Sequence, residues 1–206
     1  MRRTIIITGL VATMILGACS KTVPTRPTLA AKPSSVAPAE VEPASAATTA
    51  ACVSSGSTAG KSAKASGGTM LLRAVRVAGH GCTDRVVFEF GQRAGTNGTP
   101  GYRLEYRNGP FTEDASGIPV TVDGSAFLVL RMEPASGADL TGATPSPTYS
   151  GSRDIKPGDA THVRELKESG DFEDMMSWIV GLDTKRPFTT SVLREGSTIR
   201  LVIDIS

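Results

Sequence analysis

Polar and apolar positions alternate most cleanly over 83–90, Thr-Asp-Arg-Val-Val-Phe-Glu-Phe. Val86, Phe88 and Phe90 point one way, and Arg85, Val87 and Glu89 point the other. A period of two marks a strand with one buried face. The C-terminal stretch repeats the pattern, with Ile199, Leu201, Ile203 and Ile205 inward and Arg200, Val202 and Asp204 outward. Arg-Val-Val-Phe-Glu-Phe aligns over Arg-Leu-Val-Ile-Asp-Ile, so the two segments read as core strands of one domain. The same reading predicts strands over 71–78, 85–90, 102–107, 118–122, 126–132, 162–167, 174–182, 188–193 and 198–205. Asp123-Gly124, between Val120-Thr121-Val122 and Phe127-Leu128-Val129, predicts a tight hairpin, and Ser169-Gly170 predicts a turn. Phe172, Met175, Met176 and Ile179 also fit helical spacing, but Met176, Trp178, Val180 and Leu182 alternate, which favours a strand over 176–182. The stretch 133–160, rich in Pro, Gly, Ser and Thr, is expected as a long loop of a size often functional or mobile. Many short strands and no convincing long helix predict an all-β class, as a sandwich or barrel.

Upstream of Met70 this pattern stops. Arg2 and Arg3 precede a short apolar run over 4–15, which ends in Leu16-Gly17-Ala18-Cys19. Such a run is shorter than the roughly 20 residues of a membrane-spanning helix and reads as an export signal. The Leu-Gly-Ala-Cys order is similar to a bacterial lipobox, which implies removal of 1–18 and lipid on Cys19. Several acyl chains anchor stably, whereas one holds only marginally. Residues 19–69 are dominated by Ala, Pro, Ser, Thr, Gly and Lys, with no aromatic residue. Such a composition does not offset its ordering entropy by burial, so a disordered tether of about 40 Å end-to-end span is expected. The domain from 70 to 206 carries 15 basic and 18 acidic residues, and a slightly acidic domain without a run of Lys or Arg argues against nucleic acid as a partner. At about 137 residues it holds one core.

With Cys19 lipidated, Cys52 and Cys82 remain as an even pair in an oxidising compartment, and a disulfide between them is predicted. It would place the end of the tether beside the strand that begins at Asp84.

Val75-Arg76-Val77, Asp84-Arg85-Val86-Val87-Phe88-Glu89-Phe90 and Gly101-Tyr102-Arg103-Leu104-Glu105-Tyr106 resemble the opening of an AMIN-like domain. Trp178-Ile179-Val180-Gly181-Leu182-Asp183, Pro187-Phe188 and Arg200-Leu201-Val202-Ile203-Asp204-Ile205 resemble its end. The resemblance covers roughly 70–206 and implies a single antiparallel β-sandwich in a cell-envelope lipoprotein on the extracytoplasmic face of the membrane. It also implies kinship with the AMIN domains that localise peptidoglycan amidases and secretin components. The AMIN-like family has no established activity.

Candidates for chemistry are few. His80 and His162 are the only histidines, and neither has a ligand partner at metal spacing. No serine lies in a Gly-x-Ser-x-Gly turn, and the glycines at 95–101 and 137–142 do not follow a phosphate-loop pattern. Asp171, Glu173 and Asp174 could be a carboxylate pair for glycoside hydrolysis or simply solvated charges beside a turn. No catalytic residue, metal or cofactor is expected. Tyr102 and Tyr106 share a face with Leu104, which fits burial with wet hydroxyls or stacking on a sugar. Trp178 has the same two readings, core or sugar platform. Arg85 and Arg200 either pair with Asp204, Glu89 or Asp84, or hold a peptidoglycan carboxylate. Arg103, Glu105 and Arg107 are expected on the solvated face. The expected function is a non-catalytic, membrane-anchored envelope module that binds peptidoglycan or an envelope protein. The alternatives are an accessory subunit recruiting a wall hydrolase or secretion component through an exposed sheet edge, and a hydrolase with an unrecognised site.

Overall fold

Alternating segments pair into ladders once their apolar faces find a common core. The computed structural model describes residues 52–93 and 97–206, and all its named elements are strands. In chain order these are β1 Lys61–Ala63, β2 Met70–His80, β3 Thr83–Gln92, β4 Gly101–Tyr106, β5 Phe111–Thr112, β6 Pro119–Val120, β7 Ala126–Glu133 and β8 Ala135–Ser136. They continue as β9 Ala138–Asp139, β10 Ser146–Pro147, β11 Asp154–Ile155, β12 Val163–Phe172, β13 Met175–Leu182, β14 Phe188–Glu195 and β15 Thr198–Ile205. Sheet A runs β14-β15-β3-β2-β8 and sheet B runs β1-β4-β7-β13-β12-β11; β9-β10 and β5-β6 are small separate ladders. Pairing is antiparallel except for β2 with β8. The fold is of the all-β class that the pattern predicts, in the two-sheet, largely antiparallel form that the resemblance implies.

The two segments that align in sequence are neighbours in sheet A. Their register sets Phe90 opposite Ile199, Phe88 opposite Leu201 and Val86 opposite Ile203. All six side chains are fully buried. Sheet B meets them with Leu104, Leu128, Leu130, Met132, Met176, Trp178, Val180 and Leu182. Phe88 packs edge-on to Trp178 with centroids 5.6 Å apart. Burying each such side chain stabilises by roughly 1.5–3 kcal/mol relative to exposure. The outward face of sheet A is less open than its pattern suggests. Val202 is only 4% exposed, lying between Val87 and Ser191 across the sheet and Arg200 and Asp204 along its own strand.

β13 confirms the strand reading of 176–182 and begins at Met175. It lies between β7 and β12 and is covered on both faces. Its inward residues join the main core, and Ile179 joins Val122 and Val129 in a second cluster under Phe111, Val120 and Phe127. The β5-β6 excursion thus lids part of sheet B's outer face.

Two turn expectations change. The hairpin at Asp123-Gly124 does not form: β6 pairs with β5, and β7 pairs with β13 and β4. Asp123-Gly124 instead lies against the end of β13. A Cβ on Gly181 would sit 1.9 Å from the Asp123 carbonyl oxygen, and Ser125 N–H donates to the Leu182 carbonyl at 2.7 Å. The Asp123 N–H also donates to the buried Glu165 carboxylate. The tight hairpin falls at Glu173-Asp174, whose φ values of 52° and 60° join Phe172 to Met175. Positive φ at both central residues is the backbone twist that suits a two-residue hairpin. Gly170 is no turn but part of a β-bulge in β12, where Asp114 approaches so closely that a Cβ would meet its Cβ at 2.6 Å.

The long stretch over 133–160 is a cap on the sandwich rather than a free loop. Ala135 N–H donates to the Asp174 carbonyl at 2.7 Å, and Gly137 N–H donates to the Asp171 carboxylate at 2.8 Å. Tyr149 is buried edge-on to Trp178, and β11 adds to β12.

The tether predicted over 19–69 ends earlier than its composition implies. Ser57 and Phe188 exchange backbone hydrogen bonds at 3.3 and 3.0 Å, β1 pairs with β4, and Ser66 and Thr99 exchange bonds at 3.1 and 2.9 Å. Cys52 and Cys82 are joined as a disulfide. Residues 52–66 therefore form a strap from the β2–β3 turn past the β14 edge of sheet A to the β4 edge of sheet B. Backbone pairing holds it, and its side chains are largely exposed, so no hydrophobic period marks it. The signal segment, Cys19 and the rest of the tether lie outside the described residues.

Candidate functional site

The residues singled out from sequence fall in three different places. Arg85 and Arg200 stand on the outer face of sheet A, where register sets each opposite a carboxylate. Arg85 forms a two-pronged pair with Asp204 at 2.7 and 3.0 Å. Arg200 bonds Glu89 at 2.9 Å and Glu195 at 2.8 Å, and Arg76 shares Glu89 at 3.0 Å. Hydrogen bonds from Arg76 and Arg200 hold the Glu89 carboxyl below its ordinary pKa, and the bond to Asp204 raises that of Arg85. These guanidinium groups already hold carboxylates.

Tyr102 and Tyr106 point inward from β4 and close the seam toward β14. The Tyr102 hydroxyl is 2.9 Å from Thr190 Oγ1. Tyr106 donates to the Arg186 carbonyl at 2.7 Å and accepts from the Arg186 N–H at 2.8 Å, while its ring packs edge-on to Phe188. Burial pushes the Tyr106 phenol up. Trp178 is fully buried between Phe88 and Tyr149 and offers no platform to a sugar. The tyrosines and the tryptophan thus serve packing, and the five candidates do not assemble into one site.

Arg186 also binds Asp183 through two bonds of 2.9 and 2.8 Å, which lowers the Asp183 carboxyl to about 2. A depressed folded-state pKa means stabilisation that is present above the ordinary carboxylate range and lost as pH falls through the folded value. Asp183→Asn should therefore lose less stability than the parent between about pH 4 and pH 2. Urea midpoints across that interval measure it, and parallel acid limbs would refute the assignment.

The buried polar groups are likewise structural. Asp84 is fully buried and accepts the N–H groups of Thr161, His162 and Val163 at 3.0, 2.5 and 2.7 Å. His162 lies beside it, with Nε2 3.4 Å from the Cys82 carbonyl oxygen and Nδ1 3.7 Å from Asp183. Asp171 accepts from the Gly137 N–H and Asp174 from the Thr69 hydroxyl, so both are engaged in holding the chain. Among the described residues no group of three or more His, Cys, Asp or Glu side chains is arranged to hold a metal ion.

The outer face of sheet B carries a different arrangement. A groove of about 580 Å³ is lined by Ala63, Gly101, Arg103, Glu105, Arg107, Arg131, Glu133 and Met175 among others. A smaller hollow of about 180 Å³ shares Arg107 and Arg131 with it and is walled by Phe111, Asp114 and Ser177. Alternation turns Arg103 out from β4 and Arg131 out from β7, and the register sets the two directly opposite each other. Among the described residues, Arg103, Arg107 and Arg131 make no ion pair with a carboxylate. Arg131 is half-buried, and its Nη2 lies 3.0 Å from Met175 Sδ. Asp114 is engaged by Ser177 Oγ at 2.7 Å. Guanidinium forks so disposed can take a carboxylate or another planar oxyanion in two-pronged fashion.

The sequence reading placed Arg103 and Arg107 on a solvated face and did not single out Arg131. The sequence shows only that the outward set of 126–132 is Phe127, Val129 and Arg131, with no carboxylate in it; the pairing that sets Arg131 opposite Arg103 comes from the register of β4 and β7.

A family model described as AMIN-like domain matches residues 70–206. No curated protein and no solved structure shows significant similarity to the chain.

Proposed function

The chain belongs to the AMIN-like domain family, and from that membership we propose that it is a non-catalytic module of the cell envelope, lipid-anchored through Cys19, that binds peptidoglycan. The carrying observation is the extent of the match, which takes in every strand of both sheets except β1 and all three arginines of the groove. The Leu16-Gly17-Ala18-Cys19 order and the cysteine pair support an exported, anchored chain. The arginines available on sheet B suit holding an anion. A second reading, recruitment of an envelope protein, is favoured by β14. This strand is the edge of sheet A, where the described residues cross its outer flank at the Ser57–Phe188 bridge. Edges of this kind accept an added strand.

Two measurements test the proposal. The full chain should co-sediment with purified peptidoglycan sacculi, and absence of sedimentation would reject wall binding. Cys19→Ala should move the protein out of the membrane fraction, and unchanged partitioning would reject the anchor.

A further inference from the structure

We propose that the groove on the outer face of sheet B binds the carboxylates of the wall polymer's peptide chains, with Arg103 and Arg131 at its centre and Arg107 at its inner end. This rests on the peptidoglycan-binding reading above and adds which face binds, through which residues, and to which chemical group.

The argument starts from a contrast between two faces of one molecule. On sheet A, cross-strand register sets Arg85 opposite Asp204 and Arg200 opposite Glu89, and both pairs close as salt bridges. On sheet B, the register sets Arg103 opposite Arg131. Like charges directly opposite on paired strands are destabilising. Sheet A thus supplies Arg76, Arg85 and Arg200 with carboxylate partners, whereas Arg103, Arg107 and Arg131 on sheet B make no such pair among the described residues, so an anion from outside would relieve the repulsion between Arg103 and Arg131.

The groove's shape agrees. Gly101 contributes no side chain to its floor, where a Cβ would fall 2.6 Å from the Glu133 carbonyl oxygen and 2.8 Å from the Ala65 nitrogen. The strap supplies one wall with Ala63 and Ala65. Arg131, partly buried against Met175, is held in place before a ligand arrives, which lowers the ordering cost of binding. Glu105 and Glu133 line the same groove. An arrangement of three guanidinium groups and two carboxylates suits a peptide that carries both carboxylates and an ammonium group better than it suits a neutral sugar.

Its position agrees as well. Cys52 is tied to Cys82 in the β2–β3 turn, which marks one pole of the sandwich. β3 runs from there to Gln92, opposite Met70, which bonds Pro134 and so marks the other pole of the sandwich. Gly101, Glu133 and Met175 open the groove toward that other pole. That end of the groove thus lies toward the pole opposite the Cys52–Cys82 disulfide.

The test uses the full chain in detergent and sacculi freed of attached phosphate polymers. One portion of sacculi is left untreated, and the other has its carboxyl groups converted to neutral amides with ethanolamine and carbodiimide. Arg103→Gln with Arg131→Gln should weaken binding to untreated sacculi at least about tenfold, a loss of one charge-assisted pair or more. Conversion of the carboxyl groups should weaken the parent to a similar degree. Arg76→Gln with Arg164→Gln, of equal charge change outside the groove, should bind as the parent does. The melting temperature of the groove variant should equal or exceed the parent's, because a repulsive pair has been removed. A lowered melting temperature would show the arginines to be structural and overturn the proposal. Undiminished binding by the groove variant would overturn the groove and leave the wall-binding reading standing. Equal binding of the parent to both kinds of sacculi would overturn the carboxylate. A parent that binds neither would overturn this proposal together with the reading on which it rests.

Discussion

Phe88→Ala should cost the domain about 3–5 kcal/mol, the range for deleting a buried aromatic ring and leaving a cavity. Phe88 has no exposed surface, packs edge-on to Trp178 and stands between Leu201 and Val75 in its sheet. Its removal takes contacts from both layers at once. Leu201→Ala, on the paired strand, should cost about 2–5 kcal/mol. A domain stable by about 5–15 kcal/mol survives either change with little in reserve. The comparison that gives the prediction its content is with the other face. Val87→Thr, at a half-buried outward position beside the Arg85 and Glu89 ion pairs, should cost much less. Val202→Thr should fall between the two, because Val202 is nearly as buried as the core while its neighbours are polar or charged. Urea unfolding of the full-chain variants ranks them. A Val87→Thr cost equal to that of Phe88→Ala would mean that the two faces are not distinguished, as a one-residue register error would produce.

The second large effect should come from the disulfide. Cys52 and Cys82 are separated by 30 positions, and closing a loop of that size stabilises by about 3–4 kcal/mol in the chain-entropy model. Replacing both by serine should lower stability by that order, and the loss should be uneven across the fold. Ser57 and β1 hold their places through backbone pairs to Phe188 and β4, with few buried side chains of their own. Local stability follows such differences in burial. Amide exchange at Ser57 and Lys61–Ala63 should therefore accelerate much more than exchange at Phe88 and Leu201. Equal acceleration everywhere would mean that the disulfide supports the whole fold evenly and that the strap has no separate stability. Exchange unchanged from the parent at Lys61–Ala63 would mean that pairing with β4 alone secures it.

Parts of the functional surface were legible as single strands and illegible as a site. Arg85 and Arg200 each enter a strand that carries an outward carboxylate, and cross-strand register occupies each with the other strand's, Asp204 for Arg85 and Glu89 for Arg200. Tyr102 and Tyr106 were read on the correct face with Leu104, where their hydroxyls satisfy the seam to Thr190 and Arg186. The arginines that gather on sheet B are not legible as a group, because 103, 107 and 131 form no run in the sequence and two of them sit among ordinary outward residues.

What the amino-acid order determined by itself is what depends on the face of one segment. The period of two at 83–90 and 199–205 specifies which side chains are buried, and the structure buries them. The alternation of Met176, Trp178, Val180 and Leu182 outweighs the helical spacing of 172–179 for the same reason. Once Cys19 is set aside as the expected lipid site, the two cysteines that remain, Cys52 and Cys82, are the pair that the structure joins. Tertiary structure alone decided which segments became neighbours. Asp123-Gly124 carries a hairpin signal, but close packing on Gly181 and Leu182 takes it over, and the tight turn falls to Glu173-Asp174. Residues 57–66 lack an apolar period, yet the open strand edges of β14 and β4 capture them through main-chain bonds that every residue type can make. Arg103 meets Arg131 only because β4 and β7 pair in one register, and cross-strand register is a property of two segments that neither one encodes alone.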